Sequence, residues 1–203
     1  MTVRVKICGI TRLEDALLAA RLGADALGFN LWPGSKRHVP ADAVRAIVDR
    51  LPPFVTPVGV FVNQPPGEVR ATASRAGVAA VQLHGDEPPQ DCDACPLPVI
   101  KAIRMVGPES QSQLARYRVQ GFLLDAPSPG FGGSGTTFDW SLARFAAERA
   151  TVLLAGGLTP ENVAEAIRAV RPWGVDVASG VERSPGVKDP DKMARFIARA
   201  KEA

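Results

Sequence analysis

Eight short apolar runs, recurring about every 25 residues and separated by stretches with helical spacing, predict a single (β/α)8 barrel for this chain of 203 residues. The runs are rich in β-branched residues and do not alternate with polar ones, which is typical of parallel strands buried on both faces. An open doubly wound sheet is the competing fold. The count of eight favours a barrel that spans residues 1–203 as one domain, as does the absence of Gly-x-Gly-x-x-Gly after the first run.

The predicted strands cover residues 3–7, 26–29, 58–62, 80–83, 99–103, 121–124, 152–155 and 175–178. Apolar residues spaced by three and four predict helices over 12–22, 41–51 and 160–170. Thr159 would cap the last of these, with Pro160 at its first helical position, and Asp139 and Asp189 are candidate caps of two more helices. Residues 108–117 are a further predicted helix, and residues 87–94 a single turn at most.

Composition limits the function classes. The net charge of +3 comes from scattered Lys and Arg, so we expect no nucleic-acid surface, while a small anionic substrate is compatible with it. We find no signal peptide, no apolar run of membrane-spanning length and too few cysteines for a disulfide framework. We therefore expect a cytoplasmic protein with no membrane partner. The sequence leaves open whether the protein is a monomer or a homodimer.

Cys92 and Cys95 form a lone Cys-x-x-Cys motif. Zinc would need further ligands at suitable spacing, and of the possible partners only His84 is near in sequence. Prolines flank the motif, whereas a redox motif normally opens a helix after a strand. We expect no metal site and interpret the two residues as loop thiols, with a local disulfide as the alternative.

Functional side chains are expected at the carboxyl ends of the strands, where such barrels carry their active sites. In strand order the residues there are Cys8, Asn30 with Arg37 in the same loop, Asn63, His84, Arg104, Asp125, Gly156-Gly157 and Ser179-Gly180. Strands one and six lie three steps apart in a ring of eight, so Cys8 and Asp125 are predicted to face each other across the mouth. A thiolate and a carboxyl group placed in this way form a base–acid pair that can move protons on a sugar phosphate.

The turns after strands seven and eight predict a phosphate site. Glycines let backbone N–H groups approach an anion, and a helix amino terminus adds partial positive charge. These residues are Gly156, Gly157, Ser179 and Gly180. The glycine-rich segment 130–135, which includes Gly133, is a candidate lid or a further source of N–H donors. The alternative is that each glycine only ends a strand tightly.

Two further side chains are candidates for substrate binding. The planar fork of Arg37 suits a substrate carboxylate if it points inward, and otherwise Arg37 is a solvated surface residue. His84 is expected to line the pocket. Simpler interpretations exist for the central pair also, since Cys8 could be a small buried hydrophobe and Asp125 a turn residue.

Segments along almost the whole chain match a known family in order. In the first half they are Lys6-Ile7-Cys8-Gly9-Ile10-Thr11, Gly23-Ala24-Asp25, Gly28-Phe29, Ser35-Lys36-Arg37, Val58-Gly59-Val60-Phe61-Val62-Asn63, Val81-Gln82-Leu83-His84-Gly85-Asp86-Glu87 and Lys101-Ala102-Ile103-Arg104. In the second half they are Leu124-Asp125, Gly132-Gly133-Ser134-Gly135, Phe138-Asp139-Trp140, Leu154-Ala155-Gly156-Gly157-Leu158 and Asp176-Val177-Ala178-Ser179-Gly180-Val181-Glu182. In these segments the chain resembles the phosphoribosylanthranilate isomerase family of tryptophan biosynthesis.

The resemblance implies an Amadori rearrangement without a cofactor. The substrate would be the phosphosugar N-(5-phosphoribosyl)anthranilate, and the product 1-(2-carboxyphenylamino)-1-deoxyribulose 5-phosphate. By motif, the resemblance implies that Asp125 is the general acid, Cys8 the general base and Arg37 the partner of the anthranilate carboxylate. It also implies that the turns at Gly156-Gly157 and Ser179-Gly180 hold the phosphate.

Three positions depart from the family pattern. The family commonly has Lys at the position of Thr136, often Pro at Lys36 and an aromatic residue at His38. These changes bear on two loops and leave Cys8 and Asp125 in place. One alternative is the histidine-pathway aldose–ketose isomerase, but no second phosphate-like turn follows strand three. The other alternative is a non-catalytic binder of phosphate ligands on the same scaffold.

Overall fold

The eight predicted strands close into a barrel. We analysed a computed structural model, which describes residues 2–126 and 139–203. Each strand pairs in parallel with the next, and the last pairs with the first. The strands are β1 Arg4–Cys8, β2 Ala26–Asn30, β3 Thr56–Phe61, β4 Ala80–Leu83, β5 Val99–Arg104, β6 Gly121–Asp125, β7 Val152–Leu154 and β8 Gly174–Val177. The (β/α)8 barrel is therefore confirmed, and the open doubly wound sheet is not the fold.

Helices follow the strands and cover the outside of the barrel. They are α1 Leu13–Arg21, α2 Ala41–Val48, α3 Pro66–Ala76, α4 Pro89–Asp93, α5 Ser110–Leu114, α6 Trp140–Ala147, α7 Val163–Val170 and α8 Pro190–Glu202. Each of the longer helices buries one apolar stripe, as α7 does with Val163, Ala166, Ile167 and Val170. Burying a side chain such as Val or Ile stabilises the fold by roughly 1.5–3 kcal/mol.

Alternation along each strand separates two environments. In β1, Val5 and Ile7 point outward into the apolar layer beneath the helices. Lys6 and Cys8 point into the barrel, and Cys8 reaches the cavity at its carboxyl end. The barrel interior therefore holds polar side chains near its mouth, above a small apolar layer that includes Leu123 and Leu153.

The start predicted for the helix after strand seven is wrong. The helix α7 begins at Val163, not at Pro160. The Asn162 side chain folds back and accepts a hydrogen bond from Thr159 N at 2.8 Å, while Thr159 O accepts from Asn162 N and Val163 N. A local turn therefore separates the Gly156-Gly157 turn from the helix.

Two parts of the fold were not predicted, one helix and the segment after β8. The helix α3 begins with Pro66 in its first turn and ends at Gly77, whose φ of 70° suits a left-handed cap. After β8, a 3₁₀ turn (Ser179–Val181) leads into an antiparallel hairpin, β9 Glu182–Ser184 and β10 Val187–Lys188. Gly186 in the hairpin turn has a φ of 82°, which glycine adopts without strain.

The remaining local predictions have mixed outcomes. Asp139 and Asp189 cap α6 and α8 through their side chains, as predicted. The helix predicted over 108–117 is shorter, because the residues on either side of α5 form tighter i→i+3 turns. Cys92 lies buried in the single turn α4, and Cys92 and Cys95 are both free thiols, so the local disulfide is not formed.

Within the described ranges, every helix is too short or too polar to cross a membrane.

Candidate functional site

A cleft opens at the carboxyl ends of the strands. Its lining includes eight of the predicted site residues, which are Cys8, Arg37, His84, Asp125, Gly156, Gly157, Ser179 and Gly180, but not Asn63. Gly133 and Thr136 lie outside the described residues. Asn30 also lines the cleft, whereas Arg104 lines a neighbouring cavity that shares His84 and Asp125 with it.

Cys8 is held at the cleft by its backbone. It ends β1, and Gly9 follows with a φ of 73°, a conformation that favours glycine. The carbonyl oxygen of Cys8 accepts a hydrogen bond from Lys188 Nζ at 2.5 Å. A Cβ added at Gly28 on the neighbouring strand would lie 2.7 Å from the Cys8 sulfur, so glycine there leaves room for the thiol.

Charged side chains surround the Cys8 thiol. Lys6 Nζ donates to Asp176 Oδ1 at 2.7 Å, and both of these side chains are almost fully buried. Burial raises the pKa of the Cys8 thiol above its usual value, the Lys6 ammonium works against this effect, and Asp176 adds to it. The pKa stays raised with these cations in place, so the thiol is harder to ionise than a free cysteine, and loss of Lys6 would make it harder still.

Asp125 stands on the opposite wall with both carboxyl oxygens engaged. It ends β6, three strands from β1 around the ring. Oδ1 accepts from Ala126 N at 2.9 Å, and Oδ2 lies 3.3 Å from His84 Nε2. Gln82 Nε2 lies 2.7 Å from His84 Nδ1, so with the Gln82 amide as donor the neutral imidazole carries its proton on Nε2. His84 therefore lines the pocket, as predicted, and orients the carboxyl group.

Arg37 points inward, but its fork already has a partner. Its Nε and Nη2 donate to the two carboxylate oxygens of Glu182 at 2.8 and 2.7 Å. Glu182 Oε1 also accepts from Lys188 Nζ at 3.0 Å. Burial would raise the pKa of Glu182, but Arg37 and Lys188 outweigh it and hold that pKa below its usual value. The alternative that Arg37 is a solvated surface residue is therefore wrong.

The two glycine turns face the cleft from β7 and β8. Gly156 and Gly157 have φ values of 79° and 63°, which L-residues rarely adopt. A Cβ at Gly180 would clash with the carbonyl oxygen of Leu158, so the two turns pack against each other. The helix termini expected behind them are absent, because α7 begins at Val163 and Ser179 opens only a short 3₁₀ turn. Any anion there would meet backbone turns and not the end of an α-helix.

Sequence reasoning missed a set of polar residues at the site. They are Lys6, Gln82, Asp176, Glu182 and Lys188. Each is buried, and each lies in or beside a strand. For Lys6, Gln82 and Asp176 the available signal was a charged or amide side chain inside an apolar run, because such groups are buried only with a partner. The segments around Glu182 and Lys188 are polar and carry no such signal. Among the described residues, no cluster of three His, Cys, Asp or Glu side chains could hold a metal ion.

A barrel with ionisable side chains at one cleft, on the carboxyl ends of its strands, has the architecture of a TIM-barrel enzyme. Residues 5–199 match the family model described as N-(5'-phosphoribosyl)anthranilate (PRA) isomerase. The isomerase of this name from Geobacter metallireducens is 54% identical over 98% of this chain and 99% of its own length.

Solved structures agree with this match. The structure of phosphoribosyl anthranilate isomerase from Thermotoga maritima superimposes with a TM-score of 0.94 at 48% identity, covering 99% of this chain and 100% of that one. A second structure of this isomerase contains reduced 1-(o-carboxyphenylamino)-1-deoxyribulose 5-phosphate and has a TM-score of 0.90 at 46% identity, with 99% and 100% coverage. The chain therefore belongs to the N-(5'-phosphoribosyl)anthranilate isomerase family, and the resemblance in its motifs is confirmed.

Proposed function

We propose that this enzyme converts N-(5-phosphoribosyl)anthranilate into 1-(2-carboxyphenylamino)-1-deoxyribulose 5-phosphate, the isomerisation of tryptophan biosynthesis, by an Amadori rearrangement. The observation that carries the proposal is the pairing of Cys8 and Asp125 on opposite walls of one cleft, with two glycine turns between them. The family match and the ligand in the related structure support the substrate class.

The first step is ring opening. Asp125, as general acid, protonates the furanose ring oxygen, the C1–O bond breaks, and the anilinic nitrogen supplies the electron pair that forms a protonated imine. The carboxyl group must point at one atom to do this, and its contacts with Ala126 N and His84 restrict its orientation.

The second step is proton removal from carbon. Cys8, as general base, takes the proton from C2, and the electrons of the C–H bond move to the imine to give an enolamine. The enolamine gains a proton at C1 and loses the proton of its 2-hydroxyl, which leaves the ketone. Atoms and electrons balance within the substrate, so the scheme uses no cofactor.

The remaining residues bind the two anionic ends of the substrate. The turns at Gly156-Gly157 and Ser179-Gly180 would hold the phosphate through backbone N–H groups. Arg37 has five N–H donors, and Glu182 engages two of them, so three remain for the anthranilate carboxylate. Glu182 then fixes the guanidinium instead of competing for all of it.

The test is turnover of the fluorescent substrate by the purified chain. We expect loss of anthranilate-type fluorescence together with the ketose product, confirmed by mass spectrometry at unchanged mass. Arg37→Lys should raise KM about tenfold, which is a loss of about 1.4 kcal/mol of binding free energy, with little change in kcat. A lysine has no planar fork with which to hold Glu182 and the substrate carboxylate at the same time. Absence of turnover by the unmodified, folded chain would overturn the proposed function.

A further inference from the structure

Cys8 lies beside a buried charge cluster whose two lysines the steps above do not use. The cluster contains the pairs Lys6–Asp176, with 2.7 Å between Nζ and Oδ1, and Lys188–Glu182, with 3.0 Å between Nζ and Oε1. Arg37 joins the second pair through Glu182.

The cluster holds three cationic side chains and two carboxylates, so it carries one positive charge in excess. In the enzyme without substrate, where Arg37 has no carboxylate partner besides Glu182, a thiolate at Cys8 would make the cluster neutral. Charges in a poorly solvated interior are costly unless they are compensated, so the cations of the cluster oppose the effect of burial on the thiol, whose pKa nevertheless stays raised.

Lys6 is the cation best placed to supply that compensation. Lys6 and Cys8 are two residues apart on β1, so their side chains point to the same side, into the barrel. A Cβ built at Gly28 would lie 2.7 Å from the Cys8 sulfur and 3.1 Å from Lys6 Nζ. Both groups therefore pack against Gly28 on β2. Asp176 pairs with Lys6 in the strand register and holds the ammonium from the β8 side.

Resting on the proposed function, we propose that Lys6 is a positioning residue that stabilises the thiolate of Cys8, and that Asp176 holds the Lys6 ammonium in place. The thiol gives its proton to water in the open cleft, and the resulting thiolate accepts the C2 proton of the substrate. Lys6 keeps its own proton throughout and touches no reacting atom.

The ionisation state of Cys8 depends on all the charges that face it. Burial raises its pKa, Lys6 and Lys188 lower it, and Asp176 raises it. Arg37 faces the thiol from the loop after β2, and its own pKa is raised, mainly by Glu182 and to a lesser degree by Cys8. The other ionisable side chains on the cleft are His84 and Asp125.

The experiment measures the rate of alkylation of Cys8 by iodoacetamide as a function of pH, with each thiol resolved by peptide mass spectrometry. Lys6→Met removes the counter-ion, so the midpoint of the Cys8 profile should move up by about 1–3 pH units. Asp176→Asn removes a negative charge and should move the midpoint down. Opposite shifts from two partners of one ion pair are not expected from a merely structural role.

Matched controls come from another buried lysine–carboxylate pair in the same barrel, outside the cluster. The pair Lys101–Glu87 lies outside the cleft, with 2.9 Å between Nζ and Oε2. Lys101→Met and Glu87→Gln alter this pair and should leave the Cys8 profile unchanged. Cys95 is an internal standard, and its profile should be the same in every variant. If Lys6→Met folds poorly, the double variant Lys6→Met/Asp176→Asn removes both charges, and its midpoint should lie between those of Lys6→Met and the unmodified chain.

Alkylation does not require turnover, so the two proposals fail separately. An unchanged Cys8 midpoint in Lys6→Met and in the double variant, or shifts of Lys6→Met and Asp176→Asn in the same direction, would overturn the role of Lys6 even in an active enzyme. With the expected shifts, kcat/KM of Lys6→Met at neutral pH should fall about tenfold for each pH unit of displacement and recover as the pH rises.

Discussion

Two buried lysine–carboxylate pairs, each with a cysteine beside it, lie on opposite sides of the same sheet. Lys6–Asp176 lies inside the barrel next to Cys8. Lys101–Glu87 lies in the layer between the sheet and the helices, and its neighbour Cys92 is buried in the short helix α4.

The two lysines differ in how completely they are bonded. Lys101 Nζ donates to Glu87 at 2.9 Å, to Gly85 O at 2.8 Å and to Leu83 O at 3.3 Å, so three oxygens satisfy its three protons. Lys6 Nζ has one oxygen partner of this kind within the described residues, Asp176, and its other close polar neighbour is a thiol. An ammonium group whose three protons are all bonded to oxygens stabilises the fold. An ammonium group with an unused proton can donate a hydrogen bond to a neighbouring thiolate.

The largest difference is expected between the two thiols. Cys8→Ala should lower kcat by about 10²–10⁴-fold, the typical contribution of a positioned general base. Cys92→Ala should keep kcat and lose about 1 kcal/mol of unfolding free energy, because it removes a small buried side chain outside the cleft. Steady-state kinetics and urea unfolding of both variants check this.

Asp125→Asn tests the residue on the wall of the cleft opposite Cys8. It should lower kcat to a comparable extent, because the amide cannot deliver the proton that opens the ring. Near-normal rates in both Cys8→Ala and Asp125→Asn would show that the cleft does not work through this pair.

The second difference concerns stability. Lys101→Met leaves the Glu87 carboxylate in an apolar layer without its ion pair, at a cost of about 3–5 kcal/mol. Lys6→Met should cost less, since Asp176 borders the open cleft and can be reached by water. Urea unfolding of Lys101→Met and Lys6→Met at one pH measures both costs. Equal losses of unfolding free energy would contradict the distinction between the two layers.

Glycines inside and outside the cleft allow a smaller test. Gly180→Ala should weaken competitive inhibition by inorganic phosphate about tenfold, because the added methyl group clashes with Leu158 O and displaces the turn. Gly67→Ala in α3 meets no atom within 4 Å and should leave inhibition unchanged. Unaltered phosphate inhibition in Gly180→Ala would place the phosphate elsewhere.

The lysine–carboxylate pair Lys201–Asp25 is partly exposed and should give the smallest effect. Burial would raise the pKa of Asp25, but hydrogen bonds from Lys201 and Arg4 outweigh it and lower the pKa. Its stabilisation is therefore present above the unfolded pKa of about 3.9 and is lost as the pH falls through the lower, folded value. Asp25→Asn should cost less than about 1 kcal/mol at pH 7, and the cost should shrink as the pH falls below about 3.9, measured by thermal unfolding.

The apolar strand pattern predicted the barrel because strands buried on both faces must be apolar along most of their length. The order of the strands around the barrel then placed the carboxyl ends of β1 and β6 at the same cleft, so the positions of Cys8 and Asp125 could be predicted. The start of α7 could not be predicted, because Asn162 hydrogen-bonds back to Thr159 and offers the backbone a local turn instead of a helix.

The charge cluster was harder to predict, because its partners come from distant parts of the chain. Lys6 and Asp176 are 170 positions apart and meet only when β1 pairs with β8. The Arg37–Glu182 pair depends on the hairpin after β8, which the sequence did not predict. A polar side chain inside an apolar strand indicates that a partner exists, but only the fold identifies it.

The most direct test of the central claim is a crystal structure of this chain with a reduced, non-isomerisable product analogue. We expect the Cys8 sulfur and an Asp125 carboxyl oxygen on opposite sides of the sugar, each within about 3.5 Å of the atoms that exchange protons. The phosphate should lie on the turns at Gly156-Gly157 and Ser179-Gly180. An analogue bound in the neighbouring cavity lined by Arg104, or with its sugar out of reach of the Cys8 sulfur, would contradict the account.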